Sequence, residues 1–216
     1  MKVGTDGVLL GAWAAGGARI LDVGTGTGVV ALMMAQRFPE ASVSAIELEA
    51  EAVRQALENV AASPFSGRIE VAHVALQQYE AAPFDAIVVN PPFFSHALAA
   101  QGRARAMARQ TDSLSFRELC RGGRRLLAEG GVMSLIIPAD RCGELEAEAV
   151  LAGFFLQHKV SVKTTERKQP KRCLLALGTR PASPFRQETL TLMENGHPTP
   201  WYESLLSDFL LSRSSK

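Results

Sequence analysis

The chain's 216 residues are enough for one sizeable α/β domain with a full core. Apolar residues make up 47% and charged residues 21%, which excludes an intrinsically disordered polymer. The net charge of +1 neither suggests nor excludes nucleic acid, so the placement of charge along the chain has to decide.

Helical and strand patterns alternate, which predicts a mostly parallel sheet with helices on both faces. The opening, Met1 to Gly7, is too polar and glycine-rich for a signal peptide. Asp6 is the expected N-cap of a short helix through Val8, Leu9, Leu10 and Trp13, ended by Gly16-Gly17. Arg19 to Val23 reads as the first strand. A glycine loop follows, then a helix from Val29 to Arg37 that stops before Pro39. Ser42 to Ile46 is a strand ending at Glu47. Glu49 to Ala61 is a helix with Ala52, Val53, Ala56, Leu57 and Val60 on one face. Arg68 to Val74 and Phe84 to Val89 are strands, and Ser95 to Asp112, with weak periodicity, is a predicted loop. Leu114 to Leu127 is a helix ended by Gly130-Gly131, Val132 to Ile137 a strand, and Asp140 caps a helix to Leu151. Phe154 to Val162 and Cys173 to Leu177 form a predicted final hairpin, and Trp201 to Leu211 an amphipathic helix. With no internal repeat or low-complexity linker, residues 1–216 are expected to form one domain.

The loop Asp22-Val23-Gly24-Thr25-Gly26-Thr27-Gly28 follows a strand and opens a helix. Glycine lacks a Cβ and tolerates positive φ, so a cofactor can approach the backbone closely. The spacing Gly24-x-Gly26-x-Gly28 departs from the G-x-G-x-x-G pattern of dinucleotide sites. Glu47, ending the next strand, can accept hydrogen bonds from two ribose hydroxyls. Asp22 would repel a pyrophosphate but can pair, often through water, with a cationic methionine portion. The plain alternative is a glycine-rich turn with no ligand. Asp22 to Gly28 with Glu47 resemble the class I S-adenosylmethionine methyltransferases. That resemblance implies a Rossmann-like, seven-stranded sheet whose last strand is antiparallel, with S-adenosylmethionine as cofactor.

Asn90-Pro91-Pro92-Phe93 ends the fourth strand. An exocyclic adenine amine is a poor nucleophile because its lone pair is delocalised into the ring. A catalyst must therefore hold both amine hydrogens with acceptors and steer the nitrogen toward sp³ geometry. Asn90 supplies a side-chain carbonyl and Pro91 a backbone carbonyl; the proline pair stiffens the loop, and Phe93 offers a face for a flipped base. The alternative is a rigid turn with a packing phenylalanine. The motif resembles the amino-methyltransferases, which act on adenine N6, cytosine N4, guanine N2 or a protein glutamine amide, and so leaves the molecule open.

A narrower resemblance covers nearly the whole chain. Met1 to Gly7 followed by Leu9-Leu10-Gly11-Ala12-Trp13 is similar to the opening of the bacterial tRNA adenine-N6 methyltransferases. Further matches are Glu47-Leu48-Glu49, Glu58-Asn59, Ser63-Pro64-Phe65, Gln77-Gln78-Tyr79, the Asn90 loop, Leu174-Leu175-Ala176 and the pattern from Tyr202. The resemblance implies methylation of the adenosine immediately 3′ of the anticodon in a valine tRNA. The cofactor set it implies is Thr5, Asp6, Asp22, Gly24, Thr25, Gly26, Gly28, Glu47, Leu48, Gln77 and Asn90. Two departures stand out: a short segment that usually precedes the position of Met1, and an aspartate often found at the position of Ala75. The contact to the cofactor's adenine amine would then fall to a backbone group or to Gln77.

Basic residues test the RNA reading. Arg103, Arg105 and Arg109, then Arg117, Arg121, Arg124 and Arg125, follow the Asn90 loop, and Lys159, Lys163, Arg167, Lys168, Lys171 and Arg172 form a second cluster. On the face around Asn90 they would make a phosphate-binding rim; otherwise they are solvated surface charge. The RNA-binding candidates are Arg103, Arg105, Arg109, Lys163, Arg167, Lys168, Lys171 and Arg172. Trp13, Trp201, Cys142 and Cys173 read as packing residues and His96 as a surface histidine. Cys120, Cys142 and Cys173 show no metal spacing, so no metal and a reducing cytoplasm are expected. No apolar run reaches the roughly 20 residues of a membrane span. A monomer is expected. The competing readings are a protein glutamine-N methyltransferase, an rRNA guanine-N2 methyltransferase, and an RNA-binding relative that has lost the reaction.

Overall fold

The computed structural model describes residues 4–91 and 114–209. Nine strands form one sheet in the order β3-β2-β1-β4-β5-β7-β6-β8-β9. They are β1 (Arg19–Val23), β2 (Ser42–Glu47), β3 (Ile69–His73), β4 (Phe84–Val89), β5 (Leu127–Pro138), β6 (Phe155–Thr165), β7 (Arg172–Gly178), β8 (Arg186–Glu194) and β9 (His197–Pro198). The helices are α1 (Thr5–Trp13), α2 (Val29–Arg37), α3 (Ala50–Ala61), α4 (Phe116–Leu126), α5 (Cys142–Leu151) and α6 (Pro200–Leu206). β3, β2, β1, β4 and β5 run parallel, and β7 lies antiparallel between β5 and β6.

Strand side chains alternate between faces, and the core divides accordingly. Ile20, Ala86, Val88, Ile136 and Leu174 pack with Leu10 of α1, Met34 of α2 and Val60 of α3 on one face. Leu21, Ile87, Val89, Leu135 and Leu175 pack with Leu119 of α4 and Leu145 of α5 on the other. A strand buried on both faces reads as a continuous apolar run, which is why β4 is legible as Ala-Ile-Val-Val.

Several boundaries differ from the sequence reading. The N-cap of α1 is Gly4, so Asp6 lies inside the first turn, where its charge suits the helix N-terminus. Gly130-Gly131 does not end α4; both glycines lie inside β5. Gly130 has φ 81°, and a Cβ on Gly131 would stand 2.9 Å from the Asp85 carbonyl, at the irregularity where β5 shifts register against β4. α4 begins instead at a capping box, with Ser115 Oγ accepting from the Glu118 amide and Glu118 accepting from the Ser115 amide. A short 3-10 turn, Ala139–Arg141, stands where Asp140 was expected to cap α5.

Among the described residues the expected seven strands are nine. β8 carries the alternation Thr189-Leu190-Thr191-Leu192 and pairs parallel with β6; Asn195-Gly196, both at positive φ, then turns the chain into β9. α6 is shorter than the predicted tail helix and starts at Thr199, whose hydroxyl accepts from the Tyr202 amide, with Pro200 in the first turn. The loop expected from Ser95 to Asp112 falls outside the described residues.

Candidate active site

The order of the central strands reverses between β1 and β4, the position at which open α/β sheets bind ligands beyond their carboxyl ends. Val23 stands opposite both Ile46 and Val89 in the ladder. The glycine loop, Glu47 and Asn90 therefore leave three neighbouring strands at one level, with β1 in the middle.

The glycine loop takes a path only glycine follows cheaply: φ is 69° at Gly24, 57° at Gly26 and 83° at Gly28. Nothing lies within 4 Å of where a Cβ on Gly24 would stand, so the loop faces open space there. Gly24 and Thr25 amides donate to the Ile46 carbonyl at 2.9 and 3.1 Å, and Asn59 Nδ2 donates to the Thr27 carbonyl at 2.9 Å. The loop is thus tied to β2 and α3.

Glu47 collects three backbone donors. Its Oε2 accepts from the Gly26 amide at 2.9 Å; its Oε1 accepts from Leu48 and Glu49 amides at 2.7 and 3.0 Å. A carboxylate offers about four lone-pair sites, so acceptor capacity remains on Oε2. The carboxylate is fixed before any ligand arrives. Leu48 beside it is an exposed leucine, and its carbonyl accepts from His73 Nε2 at 2.9 Å.

Asp22 lies deeper than a ligand-facing aspartate would, at 1% exposure. Its Oδ2 accepts from Thr25 Oγ1 at 2.6 Å and from the Ala31 amide at 3.0 Å. The carboxylate and the buried Thr25 therefore brace the loop against the first turn of α2. Burial pushes the Asp22 carboxyl up to about 7, against those two hydrogen bonds, and nearby Glu47 pushes it the same way. An unfolded aspartate releases its proton near pH 4. Stability therefore falls as pH rises from about 4 to about 7, where the folded protein holds the extra proton, and the loss is complete above that. Asp22→Asn keeps the acceptor but cannot ionise. Its stability advantage over wild type should grow by about 1.4 kcal/mol per pH unit across this window, about 3–6 °C in Tm per unit, then level off. Thermal melts of both proteins from pH 4 to 8 measure it; a constant difference would remove Asp22 as the titrating group.

Asn90 is half-buried and Pro91 buried. The first turn of α1 walls this side of the site: a Cβ on Gly7 would stand 3.7 Å from Asn90 Nδ2. Thr5 is exposed, and the Asp6 carboxylate meets Arg172 at 2.7 Å. Gln77 donates to Glu118 Oε1 at 3.3 Å, which leaves its own carbonyl oxygen as the acceptor at this edge. The Ala75 carbonyl already accepts from Gln78 and Tyr79 amides. Pro92, Phe93, His96, Arg103, Arg105 and Arg109 lie outside the described residues.

The two basic groups part company. β7 pairs with the far end of β5, Arg172 opposite Pro138, so the β6–β7 hairpin tip stands at the same sheet end as Asn90. Arg167, Lys168 and Lys171 are exposed there, while Lys163 Nζ donates to the Glu166 carbonyl and Lys159 pairs with Glu146 at 2.6 Å. Arg125 instead donates to Leu76 and Tyr79 carbonyls, and Leu127, two residues on, pairs with Phe84 at the start of β4. The C-terminal end of α4 thus lies at the opposite sheet end. Arg117 lies near Glu148 at 3.6 Å. What sequence reading missed is the bracing: Asn59 and His73 show no local signal for it, because their partners are backbone carbonyls 32 and 25 residues away.

These groups suit an adenosine-bearing cationic cofactor. A glycine surface is open to close approach, a fixed carboxylate can take ribose hydroxyls, and a buried carboxyl would ionise more readily beside a cation. Among the described residues no three His, Cys, Asp or Glu side chains converge to hold a metal. No described helix is long and apolar enough to cross a membrane.

Residues 7–168 match the methyltransferase small domain family. A Tolumonas auensis protein named tRNA1(Val) (adenine(37)-N6)-methyltransferase is 39% identical over 100% of this chain and 92% of its own. A Phocaeicola vulgatus protein of the same name is 48% identical over 82% of this chain and 76% of its own. Among solved structures, one described as a predicted O-methyltransferase from Agrobacterium tumefaciens superposes with TM-score 0.73, covering 94% of this chain and 96% of its own at 23% identity. TrmN from Thermus thermophilus superposes with TM-score 0.56 at 25% identity, covering 79% of this chain and 46% of its own.

Proposed function

Since this chain belongs to the methyltransferase small domain family and, within it, to the kin named tRNA1(Val) (adenine(37)-N6)-methyltransferase, we infer that it is an S-adenosylmethionine-dependent enzyme methylating N6 of adenine 37 in a valine tRNA. One observation carries the chemistry: a glycine loop, a fixed carboxylate and the Asn90-Pro91 carbonyl pair leave adjacent parallel strands at a single level.

S-adenosylmethionine, when bound, supplies an electrophilic methyl group on a sulfonium. The chain's own residues then have defined work. Gly24 leaves room along the loop, positive φ at Gly26 and Gly28 shapes its path, Glu47 accepts from the ribose, and Asp22 braces the loop from beneath and ionises more readily beside the cofactor's cation. Leu48 offers an apolar surface and Gln77 an amide oxygen to the adenine end. Thr5 lies beside the same pocket. The Asn90 side-chain carbonyl and the Pro91 backbone carbonyl accept the two N6 hydrogens and draw the nitrogen away from the ring plane. The Pro91 carbonyl is restricted before substrate arrives, because Pro91 fixes its own φ and the proline that follows confines its ψ. Phe93 stacks on the flipped base, as the motif implies.

Exposed Arg167, Lys168 and Lys171 at the active end of the sheet support tRNA phosphates as their partner. One sheet holding all nine described strands supports a single domain, and the oligomeric state that goes with this reading is a monomer. A tRNA substrate supports the cytoplasm as its compartment. The test is methyl transfer from labelled S-adenosylmethionine to tRNA lacking this modification, with nucleoside analysis. N6-methyladenosine in a valine tRNA is the expected product. Label in a protein glutamine or in rRNA guanine, with none in tRNA, would replace this reading.

A further inference from the structure

Arg172 carries a basic side chain at the foot of the hairpin, where a phosphate contact is the obvious role. Its surroundings point elsewhere. Arg172 Nε donates to Asp6 Oδ2 at 2.7 Å, across 166 residues of sequence, and its Nη1 donates to the Lys171 carbonyl at 3.0 Å. The guanidinium is thus held on two sides. The strand beneath it is held as well: the Ala139 amide donates to the Lys171 carbonyl at 3.1 Å and the Lys171 amide to the Val162 carbonyl at 3.0 Å. Arg172 itself stands opposite Pro138 of β5 and Val162 of β6. It therefore projects from a rigid three-strand junction onto the first turn of α1.

That turn walls the site. Asp6 is followed by Gly7, where a Cβ would stand in ordinary van der Waals contact with Asn90 Nδ2 at 3.7 Å and Val30 Cγ2 at 3.6 Å, so the turn packs beside Asn90. The N-cap, Gly4, makes no side-chain capping bond. The turn is pinned by its second residue to a fixed point on the sheet. The Asp6 and Arg172 side chains remain 28% and 36% exposed, so the pair adds little to global stability. A contact that stabilises weakly yet fixes a wall of the site is suited to positioning.

We propose that Asp6 and Arg172 are a positioning pair that seats the first turn of α1 against Asn90 and ties it to the base of the β6–β7 hairpin. Arg172 then serves the placement of Asn90 rather than a phosphate. This rests on reading Asn90 as the group that holds the adenine amine. That reading fails if wild type makes no N6-methyladenosine, whereas the positioning pair is judged only from variants of an active enzyme.

The experiment compares Asp6→Asn, Arg172→Ala, their double variant and Lys168→Ala/Lys171→Ala, using unmodified valine tRNA. Readouts are kcat, KM for tRNA and for S-adenosylmethionine, and the salt dependence of tRNA binding. Asp6→Asn and Arg172→Ala should each lower kcat about ten- to a hundredfold, the size of a small misplacement of reacting groups. The double variant should be no worse than either single one. Both KM values and the salt slope should stay near wild type. Lys168→Ala/Lys171→Ala should instead reduce the slope by about 2, one for each lost phosphate contact. A phosphate role for Arg172 predicts the reverse pattern: Arg172→Ala lowers the slope by about 1, and Asp6→Asn tightens tRNA binding. That result overturns the proposal, as does a raised S-adenosylmethionine KM confined to Asp6→Asn, or additive losses in the double variant. If Arg172→Ala does not fold, Asp6→Asn and Arg172→Lys carry the same comparison, since the first keeps the carboxylate's shape without its charge and the second keeps the charge without the planar Nε donor.

Discussion

Asn90→Ala should lower kcat for methyl transfer by about 10²–10³-fold or more, while S-adenosylmethionine affinity changes only severalfold. The magnitude is that of losing one preorganised polar contact to the group whose charge and geometry change in the transition state. The adenine amine cannot attack while its lone pair is spread into the ring. An acceptor on its hydrogens favours the pyramidal nitrogen and so acts mainly in the transition state, which places the loss in kcat rather than KM. Asn90 stands one residue beyond Val89, level with the end of β1. Its half-buried side chain has α1 behind it, so the carbonyl has few alternative positions. Asn90→Asp keeps an acceptor of the same shape and should retain more activity than alanine. Single-turnover transfer of labelled methyl, with cofactor titration calorimetry on the same preparations, measures both quantities. Near-normal turnover in Asn90→Ala would falsify the catalytic assignment.

Glu47→Ala should weaken S-adenosylmethionine binding by about 100-fold, equivalent to roughly 2.7 kcal/mol. Two losses combine. The ribose acceptor disappears, and the amides of Gly26, Leu48 and Glu49 lose the acceptor that now holds them at 2.9, 2.7 and 3.0 Å. Hydrogen bonds to a charged group contribute about 1.5–3 kcal/mol each, and the loop they position is the one a cofactor must lie against. A fall in Tm should accompany the weaker binding. Glu47→Gln separates the effects: it retains one oxygen but places an NH₂ against amide donors, so binding should fall between wild type and alanine. Equal cofactor affinity in all three proteins, by calorimetry, would leave Glu47 with a purely structural role.

Reading the chain residue by residue recovers the active end of the sheet well. β4 is buried on both faces from Ala86 on and reads as a short apolar run, β1 and β2 carry shorter apolar stretches, and each is followed or ended by a residue that breaks the pattern: asparagine before proline, glycine, glutamate. The same approach passes over β8 and β9, although the Thr-Leu-Thr-Leu alternation and the Asn195-Gly196 turn are present. Leu190 and Leu192 are only partly buried at the sheet margin, so their apolar signal is diluted by Arg186, Gln187 and Glu188. Gly130-Gly131 misleads for a different reason. Two glycines after a helix read as a stop, but here Gly130 takes a positive φ and Gly131 lets β5 pass the Asp85 carbonyl within a Cβ's reach.

What the chain determines on its own is local: where strands and helices form, where the backbone takes positive φ, and which loops carry an acid, an amide and paired prolines. Those outcomes depend on side-chain period and backbone sterics over a few residues, so a single sequence contains them. Tertiary structure decided the rest. It buried Asp22 at 1% exposure and made it a brace for the loop, turned Glu47 toward the Gly26 amide 21 residues away, and carried Lys168 and Lys171 to the active end while Arg125 went to the other. It also joined Asp6 to Arg172 across 166 residues. Each of those depends on strand order and on which face a side chain takes, and a charged residue's partner is set by that packing rather than by its neighbours in sequence.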